Sequence, residues 1–146
     1  MRTSSAAPDH QSRFGGSSKV NVLLLGTGGR EHAIALKLRQ SPRLGALHVQ
    51  PDANAGLLAI GKPVDVPVSI REIYRLIQYC EKHEIGLVVI GPEQPLAEGY
   101  ADRLASPTRL VFGPTAAGAR LEADKAFAKD LMRAAALPTG EARVFT

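Results

Sequence analysis

Val20-Asn21-Val22-Leu23-Leu24-Leu25-Gly26-Thr27-Gly28-Gly29-Arg30-Glu31-His32 is the stretch on which the fold turns. An apolar run of strand length stops at a glycine. Gly26, Gly28 and Gly29 make the turn, and Ala33 to Arg39 continues in strong helix formers. Strand, glycine turn and helix together open a βαβ unit. Such a turn leaves bare backbone N–H groups at the positive end of a helix dipole, where an anion, most often phosphate, is favoured.

The spacing narrows the ligand. A dinucleotide fingerprint reads G-x-G-x-x-G, its third glycine allowing close helix–strand packing. Gly26 and Gly28 fit it, but Glu31 stands at the third position. Gly29 is an additional glycine, and Arg30 supplies a fixed charge on a bidentate fork. The loop therefore reads as a seat for a phosphate monoester or similar small anion. A tight strand–helix turn without a ligand is the other reading.

Length and composition bound the rest. The chain has 146 residues, of which 45% are hydrophobic and 22% charged, as in an ordinary globular domain. A net charge of +4 and an aromatic content of 5% do not point to nucleic acid. Cys80 is the single cysteine, which excludes an internal disulfide and a cysteine-rich metal site; its helical setting reads as a buried structural thiol. His48 and His83 lack ligand spacing. No apolar run has bilayer length, so no membrane association is expected.

Residues 1–18 are rich in Ser, Ala, Gly and Pro without periodicity and read as a disordered tail. Asp9 and the missing amphipathic pattern argue against a transit peptide. Past the first strand (Val20 to Leu25) and its helix (Arg30 to Gln40), Ala46 to Gln50 reads as a second strand. A loop follows over Pro51 to Gly56, then a short strand from Pro63 to Val66. Ser69 and Glu72 have capping-box spacing, ahead of a helix that lines up Ile70, Ile73, Leu76, Ile77 and Cys80. Gly86 to Ile90 is nearly all apolar, as in a parallel strand buried on both faces. Ala97 to Ala105 reads as one helix and Leu110 to Phe112 as a strand. Thr115 is placed as an N-cap, with helices over Thr115 to Leu121 and Ala123 to Ala135. After Pro138, Glu141 to Thr146 reads as the onset of another strand.

The expected architecture is α/β, a Rossmann-like parallel sheet. In such sheets ligands bind beyond the carboxyl ends of the strands. The loops at Gly26, Asn54 to Gly56, Gly91 to Glu93 and Gly113 would then converge on one crevice.

These motifs coincide in order: Gly26-Thr27-Gly28-Gly29-Arg30-Glu31-His32-Ala33, Asn54-Ala55-Gly56, Gly91-Pro92-Glu93 with Pro95-Leu96, Gly99 with Asp102, Phe112-Gly113-Pro114-Thr115, and the run Leu121 to Asp130. Together they resemble the phosphoribosylamine–glycine ligases, ATP-grasp enzymes of purine biosynthesis, from Val20 to the end of the chain. The loop Pro51-Asp52-Ala53-Asn54 departs from the family pattern, being a residue longer and lacking its glycine. The resemblance implies a Rossmann-like substrate-binding domain over residues 19–122, followed at 123–146 by the start of an ATP-grasp domain. It implies ATP-dependent joining of glycine to 5-phosphoribosylamine, with Mg2+ or Mn2+, in the cytoplasm. Gly26, Gly28, Gly29, Arg30, Glu31, Asn54, Gly56, Pro92, Glu93 and Asp102 would bind substrate, and Lys125 would reach the nucleotide phosphates. The resemblance assigns no catalytic residue and no metal ligand to this chain. The ATP-grasp strands and metal carboxylates of the family would lie beyond Thr146, in a missing carboxyl-terminal portion, so the chain alone is expected to be an inactive amino-terminal fragment. Two other readings remain: a nicotinamide-dependent dehydrogenase domain, with Asp52 as the ribose-binding acid, and a non-catalytic phosphate-binding module.

Overall fold

The computed structural model describes residues 19–143. The expected tail and the last three residues lie outside that range. Five strands form one sheet: β1 (Val20–Leu25), β2 (Leu44–Val49), β3 (Lys62–Pro63), β4 (Ile85–Ile90) and β5 (Leu110–Phe112). Their order is β3-β2-β1-β4-β5 and every pairing is parallel. The fold is Rossmann-like α/β, as the sequence led one to expect.

β1 runs down the middle, and its side chains alternate between two cores. Leu23 and Leu25 face one side, packed with Val88 and Ile90 of β4. That side is covered by α3 (Ile73–Lys82), α4 (Glu93–Ala97), α5 (Tyr100–Leu104) and α6 (Ala116–Ala123). Val22 and Leu24 face the other side, where α1 (Gly29–Arg39) and α2 (Ala55–Ile60) supply Ala35 and Leu57. Because both faces are covered, β1 and β4 carry apolar residues almost without interruption. Cys80 sits in the first core, where burial pushes its thiol up to about 11, consistent with an inert structural role.

The differences from the sequence reading have local causes. β2 begins two residues early, at Leu44, and β3 shrinks to Lys62–Pro63. A short helix, α2, follows the Asn54 loop; six residues containing a glycine give too little periodicity to be seen in advance. Ser69 caps a 3-10 turn, Ile70–Glu72, by accepting from Arg71 N–H at 3.3 Å, while Glu72 pairs with Arg75 at 2.8 Å, so the capping box does not form. The expected helix from Ala97 to Ala105 shortens to α5, because Gly99 takes the left-handed conformation just before it (φ +86°), and α4 forms ahead of it in a stretch that reads as loop. After α6 comes α7 (Lys125–Ala134), whose N-cap Asp124 accepts from Phe127 N–H at 3.0 Å. Glu141 to Arg143 form no strand, and the rest of that expected strand lies outside the described residues.

Candidate functional site

The chain leaves β1 toward β2 on one side and returns to β4 on the other. Strand order therefore reverses between β1 and β4, and the carboxyl ends of these two strands frame the crevice where an open α/β sheet binds ligands. Gly26 ends β1, and Gly91 ends β4 with its N–H donating to the Leu25 carbonyl at 3.1 Å.

Glu31 fills the floor of this crevice. It is 3% exposed although it is a carboxylate in the first turn of α1. Its Oε2 accepts from the Gly28 N–H at 2.9 Å, and its Oε1 accepts from Arg30 Nε at 2.8 Å. Burial alone would push this carboxyl up. The hydrogen bonds from Arg30 and Gly28 N–H, together with the Arg30 charge, outweigh burial and hold it below the ordinary carboxylate value.

Two glycines make room for that side chain. A Cβ at Gly26 would lie 2.5 Å from Glu31 Cγ and 2.9 Å from Pro92 Cδ. Gly26 also has φ +122°, so it is glycine on two counts. A Cβ at Gly91 would run into the Glu31 carboxylate. At Gly29, by contrast, a Cβ would meet nothing within 4 Å, so the first helical turn faces open space.

Arg30 lies across the mouth of the crevice. Its guanidinium bonds Glu31, approaches Glu93 Oε2 at 3.9 Å, and keeps 58% of the side chain exposed. The loop before α4, with Pro92 as N-cap, thus brings Glu93 to the same opening. With two carboxylates beside it, Arg30 has its charge largely balanced internally. The remaining pull on an anion comes from N–H groups at the start of α1, which have no partners within the helix.

Asn54 fastens the neighbouring loop. Its Oδ1 caps α2 by accepting from Leu57 N–H at 3.1 Å. Its Nδ2 donates to the carbonyls of Thr27 and Gly28 at 2.8 and 3.0 Å. Gly56 packs against the His32 ring, which a Cβ there would approach to 2.5 Å. So Gly26, Gly28, Gly29, Arg30, Glu31, Asn54, Gly56, Pro92 and Glu93 come together. Asp102 and Lys125 stand apart from these contacts. Asp102 Oδ2 accepts from Ala116 N–H at 2.8 Å, tying α5 to α6. Lys125 is exposed at the first turn of α7. Asp52 lies in an exposed turn past β2.

Sequence reasoning missed Gln50, whose Oε1 accepts from the Gly26 N–H at 3.0 Å; its place just past the carboxyl end of β2 was the available signal. It also missed a cluster of buried His48 and Tyr79 with half-buried His83. His48 Nδ1 and the Tyr79 hydroxyl are 2.7 Å apart, and the Tyr79 and His83 ring centres lie 4.2 Å apart. An apolar groove of about 270 Å³, lined in part by Val20, Leu44, Leu87 and Leu110, opens at the opposite, amino-terminal end of the strands, away from these loops.

Among the described residues, no three His, Cys, Asp or Glu side chains gather into a metal site, and no helix is long and apolar enough to cross a membrane.

The chain matches the family model of the phosphoribosylglycinamide synthetase N domain over residues 20–122. It is 43% identical over 127 residues to a phosphoribosylamine–glycine ligase of Nostoc, covering 87% of this chain and 30% of that protein. Its identity to the ligase of Rhizobium meliloti is 44%, covering 87% of this chain and 29% of that protein. To the trifunctional purine biosynthetic protein adenosine-3 of Gallus gallus it is 45%, covering 86% of this chain and 12% of that protein. The chain thus spans under a third of the length of these relatives. With a five-stranded parallel sheet, a glycine turn at its switch point and this match across the sheet, the chain belongs to the phosphoribosylglycinamide synthetase N-domain family.

Proposed function

We propose that this chain is the ribose-phosphate-recognising module of an ATP-dependent ligase that joins glycine to 5-phosphoribosylamine, giving glycinamide ribonucleotide, ADP and phosphate. The observation that carries the reading is the convergence of the glycine loop, Arg30 and Glu93 at the β1/β4 switch point in a chain of this family. In the proposal, the open start of α1 at Gly29 and Arg30 holds the substrate phosphate. Glu93, exposed at the mouth, accepts from a ribose hydroxyl or the amine. Asn54 and Gly56 keep the neighbouring loop against the glycine turn. Pro92 stiffens the approach of Glu93.

A carboxylate is a poor electrophile, and ATP would supply its activation. Of the groups for that step, only Lys125 is proposed in this chain. The remaining nucleotide- and metal-binding groups belong, in the proposal, to a part of the ligase outside the matched residues. In the proposal, residues 19–122 act as the substrate-binding domain and residues 123–146 begin the ATP-grasp domain. The chain alone then releases no ADP with glycine, phosphoribosylamine and magnesium ATP.

Calorimetry with ribose 5-phosphate is the direct test. Gly29→Val should weaken binding while the fold persists, because a Cβ at Gly29 touches no protein atom. Equal affinity in a folded Gly29→Val variant would refute this placement of the phosphate. Glycine-dependent ADP release by the purified chain would refute the division of labour.

A further inference from the structure

Glu31 is a buried, fully partnered carboxylate at the place where folds of this architecture bind a ligand anion. In a dinucleotide-binding βαβ unit, the pyrophosphate accepts hydrogen bonds from the first turn of the helix, and the third glycine keeps that ground clear. Here the third position holds Glu31. Its Oε2 takes the Gly28 N–H at 2.9 Å, and its Oε1 takes Arg30 Nε at 2.8 Å. Its stem and carboxylate occupy the space above Gly26 and Gly91, the ends of the two switch-point strands. The protein thus carries its own anion where a dinucleotide would put one.

We infer that Glu31 is the specificity-determining residue of this site: it excludes a dinucleotide by occupying the pyrophosphate position, and it turns Arg30 to the open mouth, leaving room for a phosphate monoester alone. The exclusion has two parts. The side chain fills the ground, and its negative charge repels a second anion in a poorly solvated place. The positioning part rests on the ribose-phosphate reading above, whereas the exclusion part does not.

The test is calorimetric titration of the full chain with NADH and with ribose 5-phosphate. Glu31→Gly completes the G-x-G-x-x-G spacing with Gly26 and Gly28. It should tighten NADH binding roughly tenfold or more and weaken ribose 5-phosphate several-fold. Glu31→Ser serves if Glu31→Gly does not fold, because serine has a better helix propensity than glycine while still clearing the space above Gly26 and Gly91; it should shift both ligands in the same directions. Glu31→Gln keeps the volume and an acceptor for Arg30. With the volume kept and the charge removed, it should tighten NADH binding less than Glu31→Gly does. Folded Glu31→Gly and Glu31→Ser variants that bind NADH no better than the parent would overturn the inference. So would equal tightening by Glu31→Gln, or loss of folding in both shortened variants, which would make Glu31 a stability residue. If the parent chain fails to bind ribose 5-phosphate, the function reading falls, and the NADH arm still decides the role of Glu31.

Discussion

The Asn54 side-chain amide donates to the Thr27 carbonyl at 2.8 Å, joining the loop after β2 to the glycine turn after β1. The same side chain caps α2 through Leu57 N–H. Two roles in one residue can be separated by substitution. Asn54→Ser keeps the cap and loses the side-chain tie, and Asn54→Ala loses both, while the backbone N–H of residue 54 still donates to the Thr27 carbonyl at 3.3 Å in each. Thermal unfolding should show Asn54→Ala less stable than the parent by about 2 kcal/mol, with Asn54→Ser near the midpoint. If the glycine turn is the ligand seat, Asn54→Ser should already weaken ribose 5-phosphate binding. Equal stability of the Ser and Ala variants would mean that the cap contributes nothing.

Gly91 and Glu31 should be energetically coupled. A Cβ at Gly91 meets the Glu31 carboxylate, which is locked by two hydrogen bonds. Gly91→Ala should therefore cost about 1–3 kcal/mol in the parent chain. In a Glu31→Ser background the obstacle is gone, and most of that cost should vanish. A double-mutant cycle by urea unfolding measures the coupling; simple additivity would show that the two groups do not compete for one space.

Asp102 gives a discriminating case for the family-derived site. Its carboxylate accepts from Ala116 N–H at 2.8 Å, adding to the Thr115 cap at the start of α6. Asp102→Asn keeps an acceptor and should stay within about 0.5 kcal/mol of the parent, while Asp102→Ala should lose about 1 kcal/mol. If Asp102 only ties α5 to α6, neither variant changes ribose 5-phosphate affinity. Weakened binding in a stable Asp102→Asn variant would place the carboxylate in the ligand site instead.

Acid stability should depend on His48. Its ring is 2% exposed, beside Tyr79 and His83 and within the field of Lys62. Burial, then the charges of His83 and Lys62, depress its value below 6.5. Unfolding restores the ordinary value, so the unfolded chain binds the extra proton first. The contribution of neutral His48 is complete above 6.5 and is lost as pH falls through the folded-state value. Melting temperature should drop from pH 7 to pH 5, and His48→Gln, which keeps a partner for the Tyr79 hydroxyl, should flatten that slope. Glu31 acts in a separate, lower window: its depressed carboxyl stabilises above 4.5 and loses that effect below it. An unchanged slope in His48→Gln would assign the acid response to other groups.

Most of the sheet was legible because its signals are local. Val20 to Leu25 and Leu110 to Phe112 were bounded correctly, since short apolar runs stop at glycines. The break at Gly99 was not legible, because Ala97 to Ala105 reads as one helix until a positive φ is seen. Of the candidate site, the convergence of the glycine turn with the Asn54 and Glu93 loops was expected from turn chemistry and strand ends. Gln50 was missed because its place just past β2 does not by itself show that its side chain reaches the Gly26 N–H.

By itself the sequence determined a parallel α/β sheet with a glycine turn entering a helix, and Glu31 at the third fingerprint position. These follow from apolar periodicity and glycine spacing, which act over a few residues. Only the tertiary structure decided where the Glu31 carboxylate goes. Its place depends on Gly91, which pairing of β1 with β4 brings beside Gly26. The Asn54 tie to Thr27 and the Asp102 tie to Ala116 are settled the same way. Each joins segments well apart in the chain, and strand order and register, not local pattern, set which groups come within hydrogen-bond reach.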